Sequence, residues 1–137
     1  MAKLRGVWIY AVPRPPTDDL ELLGGFTLIL DAADKQKLGD GLMKVHIHVM
    51  DWDEYSSDDL VQKDDSFQLG PANLNVGPNT FGINAFVKHS KLKTIEGNDP
   101  DQNTAELYFH LQAEKVGSGP TLKTAWEDSK IDKARYK

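Results

Sequence analysis

Apolar and polar residues alternate along much of this 137-residue chain. Val45, Ile47 and Val49 alternate with two histidines, and similar alternation runs through 81–89 and 105–116. A strand that buries one face has this period of two, because successive side chains point to opposite sides of the sheet. Apolar stretches rich in β-branched and aromatic residues predict further, shorter strands at 6–12, 26–30 and 66–69.

Segments rich in glycine, proline and other turn-forming residues separate these predicted strands. Short strands with such spacing and at most one helix predict an all-β fold, an antiparallel β-sandwich of about six to eight strands. Residues 1–120 are predicted to form this single domain. Residues 121–137 form a charged tail, in which Thr124 and Glu127 have the spacing of a capping box, and a short C-terminal helix is predicted there.

The composition argues against several function classes. The formal net charge is −5 at pH 7 and the basic residues are scattered, so a surface that follows nucleic-acid phosphates is not expected. Because cysteine is absent, disulfides, thiolate metal sites and cysteine nucleophiles are excluded. The sequence also lacks a visible signal peptide, the common hydrolase and nucleotide-binding motifs, and an apolar run near the roughly 20 residues of a transmembrane helix. The expectation is a soluble protein, cytoplasmic by default, without enzymatic activity.

An acidic segment follows the strand that contains Val45 to Val49. Seven acidic residues and one lysine occur between positions 51 and 65, and charges this close repel one another unless water, a cation or a basic partner compensates them. Calcium accepts about six to eight oxygen ligands in irregular geometry. A loop that folds back would direct several carboxylates at one centre, although acids at a strand end also simply keep a loop solvated. A calcium site is predicted at four aspartates in the order D-x-D-x4-D-D: Asp51, Asp53, Asp58 and Asp59.

The segment VHIHVMDWDEYSSDDLV resembles the strand and third binding loop of a known family, the C-two domains of protein kinase C and synaptotagmins. Those domains are β-sandwiches that bind calcium and phospholipid. The resemblance therefore implies a calcium-binding module that docks on anionic phospholipid membranes through this loop. It implies calcium ligation by three aspartates and lipid contact by one or both of two aromatic residues: Asp51, Asp53, Asp59, Trp52 and Tyr55.

Two weaker similarities concern the same site. Asp34 and Asp40 are six residues apart, as are acids in the first binding loop of that family, but only one predicted strand separates Asp40 from Asp51. Either this spacing is a coincidence, or the chain is a shortened relative in which Asp18 and Asp19 lie nearest the site. The aspartate pattern is also similar to a segment of nematode transthyretin-like proteins, whose cysteines this chain lacks.

Two alternative functions are open at this point. His46 and His48 form an H-x-H pair on one side of a strand, with Asp53 further on, which resembles the first metal motif of cupins and suggests a small metalloenzyme. Histidines that alternate with apolar residues more often line the solvated face of a strand. Aromatic residues on the predicted strands either pack in the core or form an exposed face that binds carbohydrate or another protein, as in a lectin-like module. These aromatic residues are Trp8, Tyr10, Phe86, Tyr108 and Phe109.

Overall fold

The computed structural model describes residues 1–17, 19–53, 57–96 and 104–135. Within these ranges eight strands form two antiparallel sheets, so the predicted all-β sandwich is confirmed. The strands are β1 (Lys3–Arg14), β2 (Asp19–Leu30), β3 (Leu42–Asp51), β4 (Asp59–Leu69), β5 (Gly77–Val87), β6 (Thr104–Val116), β7 (Glu127–Asp128) and β8 (Asp132–Arg135). The helical elements are α1 (Ala32–Leu38), α2 (His89–Glu96) and a 3-10 turn at Pro71–Asn73.

The two sheets share one core. The first sheet has the order β1-β2-β5, and the second has the order β4-β3-β6-β7, with β8 also paired to β6. Both inner faces contribute large side chains, such as Phe26 and Phe109, that are fully buried. Phe26 packs against Phe67 and Phe81, with ring centroids 5.7 and 5.6 Å away. The alternation read from the sequence of β3 is therefore an alternation between the core and the outer face.

The predicted C-terminal helix is wrong, because residues 122–135 add strands to the second sheet. Thr124 N donates to Ala113 O (2.9 Å) and Ser129 N donates to Phe109 O (2.9 Å), so the segment pairs along the edge of β6. The Thr124 hydroxyl, which the capping-box spacing assigned to a helix start, accepts a hydrogen bond from Ala113 N (3.1 Å). Pairing with β6 buries Thr124 and gives its backbone groups hydrogen-bond partners, whereas a short isolated helix is only marginally stable in water.

The connection between β2 and β3 contains α1. Asp31 and Asp34 form a capping box at its start: Asp34 N donates to Asp31 Oδ1 (2.7 Å), and Asp31 N donates to Asp34 Oδ2 (2.9 Å). Asp34 is buried in this arrangement and has a structural role there. In the described part of the chain, neither helix is long and apolar enough to cross a membrane, since the two have seven and eight residues.

A β-bulge near the start of β1 decides which of its side chains face outward. The register with β2 shifts between Arg5 and Trp8, and Gly6 adopts a positive φ of 59°. The extra residue inverts the alternation, so that Arg5 faces outward before the bulge, whereas Trp8 and Tyr10 face outward after it. Ile9 between them packs against the core. The bulge thus turns two large aromatic side chains toward solvent.

Candidate functional site

Three large aromatic side chains are exposed on the outer face of the first sheet. Trp8, Tyr10 and Phe86 are 51%, 59% and 57% exposed. Their strand partners, including Gly25 opposite Trp8 and Glu21 opposite Phe86, all belong to the outward-facing residues of β2. We call this surface the aromatic face. Single exposed apolar side chains are common, but several on one face of a sheet mark a binding surface.

Two glycines lie beside Trp8 at one end of the aromatic face. Gly25 on β2 and Gly82 on β5 are cross-strand partners, so neither strand contributes a side chain to the outer face there. The Trp8 indole occupies part of this space: a Cβ placed on Gly25 would lie 2.6 Å from Trp8 Nε1 and 3.2 Å from Trp8 Cε2. Only glycine permits the indole to lie this close to the backbone. The indole therefore covers Gly25, which is buried, whereas Gly82 beside it is exposed.

Fixed polar groups border the aromatic face at one end. The Glu21 carboxylate accepts hydrogen bonds from Asn84 Nδ2 (2.8 Å) and from Arg14 Nε (2.8 Å). These contacts, that of Asn84 first and that of Arg14 second, lower the pKa of Glu21 below its ordinary value. Glu21 lies between Phe86 on β5 and Val12 on β1 in the register. The face therefore combines aromatic surface with a charged carboxylate whose position is set by its neighbours.

The predicted calcium ligands lie where β3 turns into β4. Asp51 is buried and lies opposite Asp59, which is exposed. Asp58 accepts hydrogen bonds from the backbone N of Asp53 (3.0 Å) and from the hydroxyl of Tyr108. Burial, followed by the hydrogen bond to Asp58, raises the pKa of Tyr108. The acidic loop is also shorter than predicted, because residues 59–65 belong to β4.

The structure brings these aspartates to one end of the second sheet without forming a complete metal site. In the described ranges, no group of three or more histidine, cysteine, aspartate or glutamate side chains is arranged to hold a metal ion. Trp52 is 37% exposed, and its backbone N donates to Glu106 O (2.8 Å). Tyr55 lies outside the described residues, as does Asp18. Calcium binding at this loop therefore stays a prediction.

The H-x-H pair lies on the outer face of the second sheet, as predicted. His46 Nδ1 is 2.8 Å from Asp65 Oδ1, and His46 Nε2 is 2.7 Å from Glu114 Oε1. Burial lowers the pKa of His46, but Asp65 and Glu114 together raise it more, so the net shift is upward. Two ionised carboxylates can only accept hydrogen bonds, so this geometry fits an imidazolium that donates from both nitrogens. Neither ring nitrogen of His46 is left for a metal of the cupin type.

A tryptophan covers the other histidines of this face. Trp126 stacks on His110 with ring centroids 4.3 Å apart and an interplanar angle of 7°, and it lies 5.0 Å from His48. His110 Nδ1 is also hydrogen-bonded to Asp128. Burial lowers the pKa of His48, and the neighbouring His110 lowers it further. The arrangement is a packed aromatic cluster that fixes the C-terminal strand on β6.

Sequence reasoning identified part of the aromatic face. It named Trp8, Tyr10 and Phe86 as aromatic residues of strands but left open whether they face the core, and it identified neither the paired glycines nor the hydrogen bonds of Glu21. One sequence signal was available: Val7, Ile9 and Ala11 alternate with Trp8, Tyr10 and Val12 immediately after Gly6. Such a change of phase at a glycine indicates a bulge. The pairing of Gly25 with Gly82 has no local signal.

Comparisons with known proteins add little to this description. No family model matches the chain, and no curated protein matches it. Among solved structures, the chain is similar to Northeast Structural Genomics Consortium target SoR45, known from an X-ray structure. The two are 7% identical with a TM-score of 0.41, and the match covers 98% of this chain and 84% of that chain. A likeness this weak carries no argument about function.

Proposed function

We propose that this protein is a non-enzymatic carbohydrate-binding module and that its ligand lies on the aromatic face. The observation that carries the proposal is the exposure of Trp8, Tyr10 and Phe86, each more than half exposed, on one face of the first sheet. Exposed aromatic area is unfavourable in water, and a ligand that covers it recovers this hydrophobic free energy.

Carbohydrate fits this combination of groups. A pyranose ring presents a face of C–H groups, which carry a small positive charge, and aromatic rings present a negative face to such groups. Its hydroxyls need fixed donors and acceptors, which Asn84, Glu21 and Arg14 supply at the border of the face. An anionic lipid surface fits less well, because it would meet the Glu21 carboxylate on a chain of net charge −5.

The test is affinity measurement against flat, β-linked oligosaccharides: cellohexaose, xylohexaose and chitohexaose. Trp8→Ala is expected to lower the affinity for the bound sugar by more than about tenfold, the usual effect of removing an aromatic anchor. Trp126→Ala, which removes a 40% exposed indole from the other sheet, is the matched control and should leave the affinity unchanged. Equal loss in both variants, or no binding of any of the three sugars at millimolar concentration, would contradict the proposal.

The same samples distinguish carbohydrate binding from a second occupant of the aromatic face, another copy of the chain. A second copy of the chain would bury these aromatic residues in a dimer, and Trp8→Ala would then shift the sedimentation coefficient toward that of a monomer. Concentration-dependent dimerisation that Trp8→Ala removes, without sugar binding, would replace the carbohydrate proposal.

A calcium ion in the acidic loop is the second candidate function. The observation that favours it is the register of the β3–β4 hairpin, which places Asp51 opposite Asp59, together with the hydrogen bond that Asp53 N donates to Asp58 Oδ1 (3.0 Å). Like charges directly opposite one another are destabilising, and a bound cation would relieve this repulsion.

Thermal unfolding with and without millimolar calcium tests this candidate, because a ligand of the folded state raises its melting temperature. Asp59→Asn should reduce the calcium-induced rise, whereas Asp40→Asn, at an exposed acid away from the loop, should retain it. No calcium-induced rise in the wild type would eliminate the site. If the rise occurs, co-sedimentation with phosphatidylserine vesicles, lost in Trp52→Ala, would support membrane docking.

A further inference from the structure

A groove of about 490 Å³ opens at one side of the sandwich, between the start of β1 and the segment that precedes β7. One wall is formed by residues 1–6, and the other is formed by Lys123, Ala125 and Glu127. These lining residues are distinct from those of the aromatic face and of the acidic loop. We call it the lateral groove.

Both walls of the lateral groove are sheet edges. In the described ranges, β1 pairs with β2 on one side, the segment 122–129 pairs with β6, and no backbone hydrogen bond joins the two walls. The groove is closed beyond the bulge, where Ala11 N donates to Asp132 Oδ2 (2.7 Å). Backbone donors and acceptors along an open edge are the usual template for an added strand.

The charge of the lateral groove is opposite to that of the chain. Among the described residues that line it, Lys3, Arg5 and Lys123 are exposed and Glu127 is the one acidic residue, whereas the chain as a whole has a net charge of −5. The amino group of Met1 is engaged by carboxylates of α1 and its cap. Basic residues on an edge strand disfavour pairing with a second copy of the same edge, because like charges would face each other.

We infer that the lateral groove binds an extended acidic segment of a partner protein, which adds a strand along the edge of β1 before the bulge, opposite Lys123 and Ala125. The edge of β1 supplies hydrogen bonds to the backbone of the added strand, and Lys3, Arg5 and Lys123 select acidic side chains. The same basic residues that repel a second copy of this edge therefore attract the partner. The three residues Lys3–Arg5, which precede the bulge, offer an extended edge about 10 Å long.

The probe is a capped octapeptide of alternating glutamate and valine, with an otherwise identical lysine–valine peptide as the control. Each is titrated into the isotopically labelled chain while backbone amide resonances are recorded. The glutamate peptide is expected to shift the amides of Leu4 to Gly6 and of Lys123 to Glu127, and the lysine peptide is not. An N-methylated glutamate peptide, which lacks half of the backbone donors, is expected to bind more than about tenfold more weakly.

A charge-reversal variant makes the test decisive. Lys3→Glu combined with Lys123→Glu changes two exposed side chains, and its fold is checked by its melting temperature. This variant is expected to lose the glutamate peptide and to gain the lysine peptide, whereas Trp8→Ala should bind the glutamate peptide and not the lysine peptide, as the wild type does. Equal binding of both peptides, shifts confined to another surface, or no shifts at millimolar peptide would overturn the inference.

Discussion

Adding a methyl group to Gly25 should destabilise the fold, whereas adding one to its cross-strand partner Gly82 should not. In Gly25→Ala, the new Cβ would lie 2.6 Å from Trp8 Nε1 and 2.8 Å from the carbonyl oxygen of Phe81. The indole can swing away, but the Phe81 carbonyl belongs to the paired strand β5 and must move with its backbone. In Gly82→Ala, the nearest atom is 3.9 Å away, which is ordinary van der Waals contact.

The expected difference in the free energy of unfolding between the two variants follows from two terms. Replacing a strand glycine by alanine stabilises the folded state by about 0.5–1 kcal/mol, because the unfolded chain loses less conformational freedom on folding. Overpacking costs about 1–3 kcal/mol where backbone has to shift. The first term is common to both variants, so Gly25→Ala should be less stable than Gly82→Ala by about the second term, 1–3 kcal/mol. Gly82→Ala should equal or exceed the wild type.

Equilibrium urea unfolding, followed by far-ultraviolet circular dichroism, measures both free energies of unfolding. The same two proteins are then titrated with sugar, because a displaced Trp8 indole should also weaken binding to the aromatic face in Gly25→Ala. Equal stabilities of the two variants, or a Gly25→Ala variant more stable than the wild type, would refute the close contact between the Trp8 indole and the backbone of Gly25.

Further predictions concern other buried or paired groups. The pKa of His46 is raised in the folded state, so the stability that His46 contributes is complete below the ordinary histidine pKa of 6.5 and is lost as pH rises through the raised value. Free energies of unfolding measured at several pH values should show this fall in the wild type and not in His46→Gln. Asn79 is buried and donates to Leu28 O (3.1 Å), so Asn79→Ala should lower the free energy of unfolding by about 2 kcal/mol or more, and an unchanged urea midpoint would contradict this. Thr124→Val, which keeps the shape but removes the hydrogen bond to Ala113 N, should cost about 1–2 kcal/mol in the same assay, whereas a helical tail would predict almost no change.

The sandwich could be predicted from the sequence because alternation is a local property. Leu107, Phe109 and Leu111 were assigned to one face of a strand, and all three are fully buried. The end of the acidic loop was placed too late, because the acids of residues 59–65 carry no local sign of a strand. Residues 59–65 form a strand because they pair with β3, which supplies the apolar partner surface.

The structures of the tail and of the aromatic face depend on contacts between residues that are distant in sequence, so local patterns did not predict them. Thr124 and Glu127 have a genuine capping-box spacing, but the edge of β6 offers Thr124 a backbone partner that local reasoning does not see. In the same way, the exposure of Trp8 depends on the bulge at Gly6 and on the absence of a side chain at Gly25 in the neighbouring strand. A register of this kind follows from tertiary packing rather than from local sequence.

The three tryptophans allow the carbohydrate proposal to be tested in one spectrum. The indole N–H resonance of Trp8 reports on the aromatic face, that of Trp52 on the acidic loop, and that of Trp126 on the aromatic cluster with His48 and His110. During titration of the labelled wild type with xylohexaose and cellohexaose, the proposal predicts a saturable shift of the Trp8 indole together with the Asn84 side-chain amide, while the other two indoles stay in place. A Trp8 resonance that does not move at saturating concentrations of either sugar, or one that moves no more than those of Trp52 and Trp126, would contradict the assignment of the aromatic face as the binding site.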